Sequence, residues 1–281
     1  MRYDRSKIRE AATFIIDADA ILVGAGAGIG VDSGLPDFRG DEGFWNAYPP
    51  YRDLGLNFYQ MANPGGFRSD PEFAWGFYGH RLNLYRKTVP HLGFNIIKKW
   101  TELKNDDYFI FTSNVDGQFQ KAGFPEDKIE ECHGSINFLQ CSSSCTDTWS
   151  ADEISINIDT ETMRAEGKLP VCGKCGAVAR PNILMFGDWN WISDRTHIQH
   201  ERMLDWRQRL GLKKLIVLEC GAGTAVPTVR YMSEKFINMF DSVLIRINKR
   251  ESDVPPGNIG ISGNASTILS KIDTEISYQM S

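Results

Sequence analysis

Long apolar runs are missing from this 281-residue sequence. No run reaches the ~18 residues that a membrane-spanning helix needs, and the charged N-terminal segment lacks the apolar centre of a secretory signal. An excess of positive charge is missing too, because 31 Lys and Arg stand against 36 Asp and Glu, a net charge of −5. We therefore expect no membrane partner, no nucleic-acid partner and a cytoplasmic location.

Cysteine is sparse, and repeats and low-complexity tracts are absent. Four of the six Cys form two close pairs, Cys141 with Cys145 and Cys172 with Cys175. Without an export signal, such pairs indicate a metal site rather than disulfides. The 7 Trp, 9 Tyr and 16 Phe exclude a disordered chain and supply material for a large core.

Four short apolar runs predict a parallel β-sheet: Ala20–Val23, Tyr108–Phe111, Leu215–Leu218 and Val243–Ile247. Amphipathic segments supply the covering helices at 7–17 (capped by Ser6, with Phe14 facing inward), 94–103, 197–210 and 226–240. Each strand leads into Gly, Ser, Thr or Asn, and ligands of open parallel sheets bind at the strands' carboxyl ends. Residues 40–87, aromatic-rich and helical in their second half, and 140–179, with the paired Cys, are predicted insertions into this sheet.

A glycine-rich loop follows the first predicted strand. Gly24, Gly26, Gly28 and Gly30 let the backbone approach a phosphate closely. The spacing is not G-x-G-x-x-G, because position 31 is Val31. By itself the loop fits either a nucleotide site or a tight turn.

Six motifs, in the same order along the chain, resemble those of the sirtuins, the NAD-consuming protein deacylases. They are Gly26-Ala27-Gly28-Ile29 with Gly34-Leu35-Pro36-Asp37-Phe38-Arg39-Gly40, Thr112-Ser113-Asn114-Val115-Asp116-Gly117, Glu131-Cys132-His133-Gly134-Ser135, the paired cysteines, Phe186-Gly187-Asp188, and Ile247-Asn248. The resemblance implies an α/β fold: a Rossmann-like parallel sheet with helices on both faces, plus a small zinc-binding and helical domain. Residues 1–40, 88–139 and 180–281 would form the Rossmann-like NAD-binding domain, and residues 41–87 (a helical insertion) and 140–179 (the zinc-binding module) the small one, with NAD in the cleft between them.

Three residues are the catalytic candidates. Taken alone, a single His is more often structural, and Asn and Asp after a strand favour a turn. The resemblance implies that His133 is the general base for the ribose hydroxyls of NAD. It also implies that Asn114 and Asp116 hold the nicotinamide ribose and the region of the catalytic water or carboxamide.

The resemblance further implies which residues bind the two cofactors, NAD as co-substrate and Zn²⁺ as a structural ion. Asp37 and Arg39, which alone could be a surface ion pair, would lie beside the nicotinamide and the diphosphate, with Phe38 shielding the reactive sugar. The spacing of Cys141, Cys145, Cys172 and Cys175 is typical of four thiolate ligands around one structural zinc; Cys132 and Cys220 are predicted to pack in the core. The NAD-binding set is Gly26, Ala27, Gly28, Asp37, Phe38, Arg39, Ser113, Asn114, Asp116, Gly221, Gly223, Thr224 and Asn248.

The chain departs from the usual sirtuin pattern at four places. Ser113 stands where most sirtuins have Gln, Phe119 replaces a frequent His, and Gly30 replaces a usual Ser. Residues 219–227 replace the usual Gly-Thr-Ser-x-x-Val-x-Pro. Several of these features resemble the macrodomain-associated sirtuin branch, which transfers ADP-ribose to protein but typically lacks the His that this chain keeps as His133.

The predicted activity is NAD-dependent deacylation of an acyl-lysine protein or peptide, which releases nicotinamide and O-acyl-ADP-ribose. The alternatives are an NAD glycohydrolase or a protein ADP-ribosyltransferase that uses the same NAD site. A non-catalytic NAD or ADP-ribose sensor is disfavoured because His133, Asn114 and Asp116 are all present. A dehydrogenase is disfavoured because the glycine fingerprint and its later acidic residue are missing.

Overall fold

A computed structural model of the chain describes residues 4–37 and 40–281, without the side chains of residues 40 and 41. Two short 3-10 segments lie at Ala27–Ser33 and Glu126–Lys128. The strands are β1 (Ala20–Ala25), β2 (Tyr108–Thr112), β3 (Ile129–Glu131), β4 (Gly134–Cys141), β5 (Trp149–Ser150), β6 (Asn157–Asp159), β7 (Arg164–Glu166), β8 (Ala179–Ile183), β9 (Leu215–Cys220), β10 (Val243–Asn248) and β11 (Ile259–Ser262). The helices are α1 (Arg5–Asp17), α2 (Gly40–Ala47), α3 (Pro49–Asp53), α4 (Phe58–Met61), α5 (Gly66–Ser69), α6 (Pro71–Lys87), α7 (Leu92–Glu102), α8 (Gln118–Lys121), α9 (Asp194–Arg209), α10 (Thr228–Phe240) and α11 (Ala265–Gln279).

The main sheet has six strands in the order β3-β2-β1-β9-β10-β11, and every neighbouring pair is parallel. This confirms the predicted α/β fold with a Rossmann-like sheet. All four predicted strands are present, and β3 and β11 are additional. The strand order reverses between β1 and β9, and ligands of open α/β sheets bind outside the carboxyl ends of the strands at such a reversal.

Helices cover both faces of this sheet. Alternate residues along β1 face α1, α7 and α11 on one side, where Ile21 and Val23 are buried, and α9 and α10 on the other, where Leu22 is buried. Asp4, rather than the predicted Ser6, caps α1, because its carboxylate accepts a hydrogen bond from the Ser6 N–H at 3.0 Å. Phe14, predicted to face inward, is 37% exposed.

A second core forms where α2 to α6 pack against the antiparallel sheet β5-β4-β8 and the hairpin β6-β7. It is rich in buried aromatic side chains, among them Phe44, Tyr51, Trp75 and Phe77. The hairpin lies flush against α6, because a Cβ on Gly76 would lie 1.8 Å from the Met163 carbonyl oxygen. Gly76 therefore lies on the face of α6 that contacts this hairpin.

In the described ranges, every helix is too short or too polar to span a bilayer.

Candidate active site

The glycine loop after β1 lies directly against the loop that follows β9. The N–H of Gly26 donates to the Cys220 carbonyl at 3.0 Å, and the N–H of Gly28 donates to the Gly221 carbonyl at 3.0 Å. A Cβ on Gly26 would lie 2.6 Å from the Ala222 Cα. Larger residues cannot occupy these positions without moving one backbone away from the other. The two loops therefore form one continuous wall at the point where the strand order reverses.

A cavity of about 880 Å³ opens beside this wall. It is lined by residues of the loops after β1, β2, β9 and β10, of the turn between β3 and β4, of the segment after β8, and of one face of α6. Phe38 and Arg39 lie outside the described residues. The predicted site residues that line the cavity are Gly26, Ala27, Asp37, Ser113, Asn114, Asp116, His133, Gly221, Gly223 and Thr224.

Gly28 and Asn248 do not line the cavity; they shape its wall. Gly28 packs against the Gly221 backbone. The Asn248 side-chain amide donates to the Ala222 carbonyl at 2.7 Å, and its oxygen accepts from the N–H groups of Arg250 and Glu251, each at 3.1 Å. Asn248 thus ties the loop after β9 to the loop after β10.

His133 lies in the turn between β3 and β4. Burial lowers the pKa of its imidazole below the usual 6.5, and a hydrogen bond to the Ser113 backbone opposes that shift. Its Nε2 lies 3.5 Å from the Thr228 hydroxyl. A lowered pKa leaves the ring neutral at pH 7, which is the form that accepts a proton.

Asn114 joins the end of β2 to the glycine loop. Its side-chain amide donates to the Gly26 carbonyl at 3.1 Å, and its N–H donates to the Thr112 hydroxyl at 3.1 Å. The Thr112 hydroxyl in turn donates to the Ala25 carbonyl at 3.0 Å. This chain of hydrogen bonds holds Asn114 at the edge of the cavity with little freedom to move.

Asp116 is a buried acidic residue that lines the cavity. Burial raises the pKa of its carboxyl to about 6, and the negative charge of Glu131 adds to the rise. The Gln118 N–H, which donates to Oδ1 at 3.0 Å, and the charge of Arg81 both lower it. The Asp116 carboxyl is therefore protonated below a pH of about 6 and ionised above it.

The sequence analysis missed three cavity residues on α6: Tyr78, Arg81 and Tyr85. Arg81 is buried, donates to the Tyr85 hydroxyl at 2.9 Å, and lies 5.4 Å from the Tyr78 ring centroid. The Tyr78 hydroxyl is buried and has no hydrogen-bond partner in the described structure. The three positions share one helix face, which the sequence does contain as a signal. That this face turns to the cavity depends on the packing of α6.

The segment after β8 forms the opposite wall. Asp188 and Arg180 form a fully buried ion pair at 2.8 Å, and their side chains are 0% and 1% exposed. Asp188 also accepts hydrogen bonds from the N–H groups of Met185 at 3.4 Å and Asn190 at 3.2 Å. The next residue, Trp189, lines the cavity and is 96% exposed. The ion pair thus anchors the loop that carries the exposed Trp189 side chain.

The four paired cysteines converge in one cluster, and none of them lines the cavity. Their sulfur atoms all lie within 4.8 Å of one another, and the hydrogen-bonded pairs are 3.3 to 3.6 Å apart. A tetrahedral zinc with Zn–S bonds of about 2.3 Å needs sulfur separations of about 3.8 Å, so these residues fit a closed zinc site. Cys220 is fully buried in the core under α1, α7 and α11, and Cys132 packs against the core on the other face of the main sheet, so both pack in the interior as predicted.

Comparison with known proteins places this site in context. Residues 26–205 match the family model of the Sir2 family. An NAD-dependent protein deacylase of Aquifex aeolicus is 31% identical over 168 residues, which are 60% of this chain and 62% of that protein, less than two thirds of its length. An NAD-dependent protein deacylase of Pyrococcus furiosus is 27% identical over 271 residues, 95% of this chain and 97% of that protein.

Two further matches bear on the fold and on the alternative activities. A crystal structure of a Sir2 homologue in complex with NAD superposes with a TM-score of 0.71 at 22% identity, over 97% of this chain and 94% of that one, which shows a common fold. A probable bifunctional ADP-ribose hydrolase/ADP-ribosyltransferase of Fusarium oxysporum is 28% identical over 253 residues, 84% of this chain and 41% of that protein.

Proposed function

The chain belongs to the Sir2 family, the sirtuins, and on that premise we propose that it is an NAD-dependent protein-lysine deacylase. Its substrates are NAD and an acyl-lysine protein or peptide. Its products are nicotinamide, the free lysine and O-acyl-ADP-ribose. The observation that carries this proposal is one cavity that brings His133, Asn114 and Asp116 together with both glycine loops. The curated deacylases that match along nearly the whole chain support the same activity.

The proposed reaction has two halves. The acyl carbonyl oxygen of the substrate lysine attacks the nicotinamide ribose carbon, and the bond to nicotinamide breaks. Asn114 and Asp116 orient that end of NAD. His133 then removes a proton from a ribose hydroxyl, which attacks the carbon of the resulting imidate, and water completes the release of lysine. A neutral imidazole suits this proton transfer at pH 7.

We place the substrate peptide between two exposed segments at the mouth of the cavity. Residues 187–189 form one edge, and residues 224–226 form the other. An extended peptide binds such edges through hydrogen bonds of its backbone, so peptides of many different sequences can bind there.

The face of α6 that lines the cavity points to an acyl group that ends in a carboxylate. A buried guanidinium interacts strongly with an anion because the surroundings are poor in water. The hydroxyl of Tyr78 has an unused donor beside Arg81. A carboxylate accepts hydrogen bonds from both groups, whereas an acetyl methyl uses neither.

The cysteine cluster holds a structural Zn²⁺ that crosslinks the antiparallel sheet and takes no part in the reaction. Cys141 lies at the end of β4, and Cys172 and Cys175 lie in the turn before β8. We propose that residues 41–87 and 140–179 form the smaller domain around this centre. The proposal is supported by the second core, which those segments largely build.

NAD hydrolysis and ADP-ribosyl transfer are not favoured as the main activity. The Fusarium relative bears a transferase name, but the relatives that match nearly the whole of both chains are deacylases. The presence of His133 in the cavity also fits a reaction that needs a general base after nicotinamide has left.

The proposal is tested by incubating the protein with NAD and peptides that carry acetyl-lysine or succinyl-lysine, followed by mass spectrometry. We expect nicotinamide and O-acyl-ADP-ribose to form only with peptide, faster with succinyl than with acetyl. His133→Ala should abolish the acyl-transfer product, and Arg81→Met should remove the succinyl preference. Nicotinamide and free ADP-ribose at equal rates without peptide, or a mass increase on protein, would instead establish a glycohydrolase or a transferase.

A further inference from the structure

Arg230 occupies an unfavourable position in the first turn of α10. A cation near a helix N-terminus opposes the helix dipole. The residue is only 8% exposed, and burial together with the nearby charge of Arg246 lowers the pKa of its guanidinium. A side chain that violates local preferences in this way is commonly retained for a specific contact.

The contact is with a single carbonyl oxygen. Both Nε and Nη2 of Arg230 donate to the Ala222 carbonyl, each at 3.1 Å, and Nη2 also donates to the Glu251 carbonyl. The same Ala222 oxygen accepts from the Asn248 side chain at 2.7 Å. Arg230 thereby joins α10, the loop after β9 and the loop after β10.

This arrangement determines where the next N–H points. The peptide bond between Ala222 and Gly223 is trans, so its N–H is directed opposite to its C=O. The carbonyl is held on the side of Arg230 and Asn248, neither of which lines the cavity, whereas Gly223 does line it. The Gly223 N–H is accordingly directed away from Arg230, towards the cavity.

The sequence of this loop makes the backbone N–H the hydrogen-bond donor that position 223 can offer a ligand. Residues 222 and 223 are Ala and Gly, so neither offers a side-chain hydroxyl to a ligand. Backbone N–H groups bind phosphate and ribose oxygens well, and hydrogen bonds to the preceding carbonyl strengthen the N–H as a donor.

We propose that Arg230 is a positioning residue for NAD: it fixes the 222–223 peptide so that the Gly223 N–H donates to an oxygen of the ADP-ribose half. This inference rests on the proposed function only in taking the ligand to be NAD. It assigns no step of the reaction to Arg230.

The test compares Arg230→Met and Arg230→Lys with Lys235→Met, which removes an exposed cation from the same helix. Calorimetry with ADP-ribose gives the dissociation constant, and steady-state kinetics gives separate KM values for NAD and for peptide. We expect Arg230→Met to raise the ADP-ribose Kd and the NAD KM at least tenfold. The peptide KM and kcat should stay within twofold of wild type, and Lys235→Met should match wild type throughout. Arg230→Lys keeps the charge but loses the paired donors, so it should lie between.

An ADP-ribose Kd within twofold of wild type in a folded Arg230 variant would overturn the proposal. A purely structural role would lower the unfolding temperature and the active fraction without changing the NAD KM, which would also overturn it. If neither Arg230 variant folds, glycine-labelled wild-type protein decides by NMR: we expect a large downfield shift of the Gly223 amide proton on ADP-ribose addition, and no shift overturns the proposal. Wild-type protein that binds ADP-ribose without deacylating any peptide would refute the proposed function but leave this inference intact.

Discussion

Removing the charge of Asp188 should destabilise the protein strongly, because its partner Arg180 is buried. The side chains are 0% and 1% exposed, so the variant Asp188→Asn leaves a guanidinium without a counter-charge in surroundings that exclude water. Breaking a pair of this kind costs about 3–5 kcal/mol of unfolding free energy. The variant also weakens the acceptor for the N–H groups of Met185 and Asn190.

The double variant Arg180→Met with Asp188→Leu should lower the free energy of unfolding by only about 0–2 kcal/mol, because it leaves no unpaired charge in the interior. The cost that remains comes from the loop N–H groups, which still lose their acceptor. Urea unfolding at pH 7 measures each free energy, with Glu72→Gln as the control, because Glu72 pairs with Arg164 at an exposed site where a pair is worth at most about 1 kcal/mol. The peptide KM should rise in Asp188→Asn while the ADP-ribose Kd stays unchanged. A loss below 1 kcal/mol in Asp188→Asn, or a double variant as unstable as the single one, would refute this reasoning.

Three further predictions concern the cavity and the cysteine cluster. The rate should fall as the pH drops below about 6, because His133 gains a proton below its lowered pKa and Asp116 is protonated below about 6; a pH profile of kcat/KM checks this, and Asp116→Asn should remove only the limb that Asp116 contributes. Gly26→Ala should raise the NAD KM at least tenfold, because its Cβ would lie 2.6 Å from the Ala222 Cα; a normal KM would show that the two loops can separate freely. Prolonged chelation, or Cys175→Ser, should lower the unfolding temperature and release about one zinc per chain by elemental analysis; protein that never contains zinc would contradict the closed site.

The main sheet was predictable wherever a strand has an apolar run of its own. Strand β3 was not, because Ile129 is followed by two glutamates, Glu130 and Glu131, both buried. They are compatible with the interior only because α9 supplies their partners from about 65 residues further on: the His200 Nδ1 lies 3.1 Å from a Glu130 carboxylate oxygen, and the Arg195 guanidinium pairs with Glu131. A buried charge needs a partner, and the identity of a distant partner is not written in the local sequence.

The site residues also fall into two groups, those that the sequence indicated and those that only the structure revealed. The motifs that resemble those of the sirtuins indicated His133, Asn114 and Asp116, which lie in the loops after β3 and β2, at the carboxyl edge of the sheet, and line the cavity. Spacing did not point to Arg81 or Arg230, which lie on helices.

The amino-acid sequence by itself determined the chemical groups and the local geometry: parallel strands from apolar runs, loops that need glycine, thiols in pairs. These follow from interactions between residues that are neighbours along the chain. Only the tertiary structure decided which face of a helix meets the cavity and which buried charges are matched. Gly76 packs against the Met163 carbonyl on one face of α6, and Arg81 lines the cavity from the same helix. The direction of a side chain depends on the packing of segments distant in sequence, so it emerges only when those segments have come together.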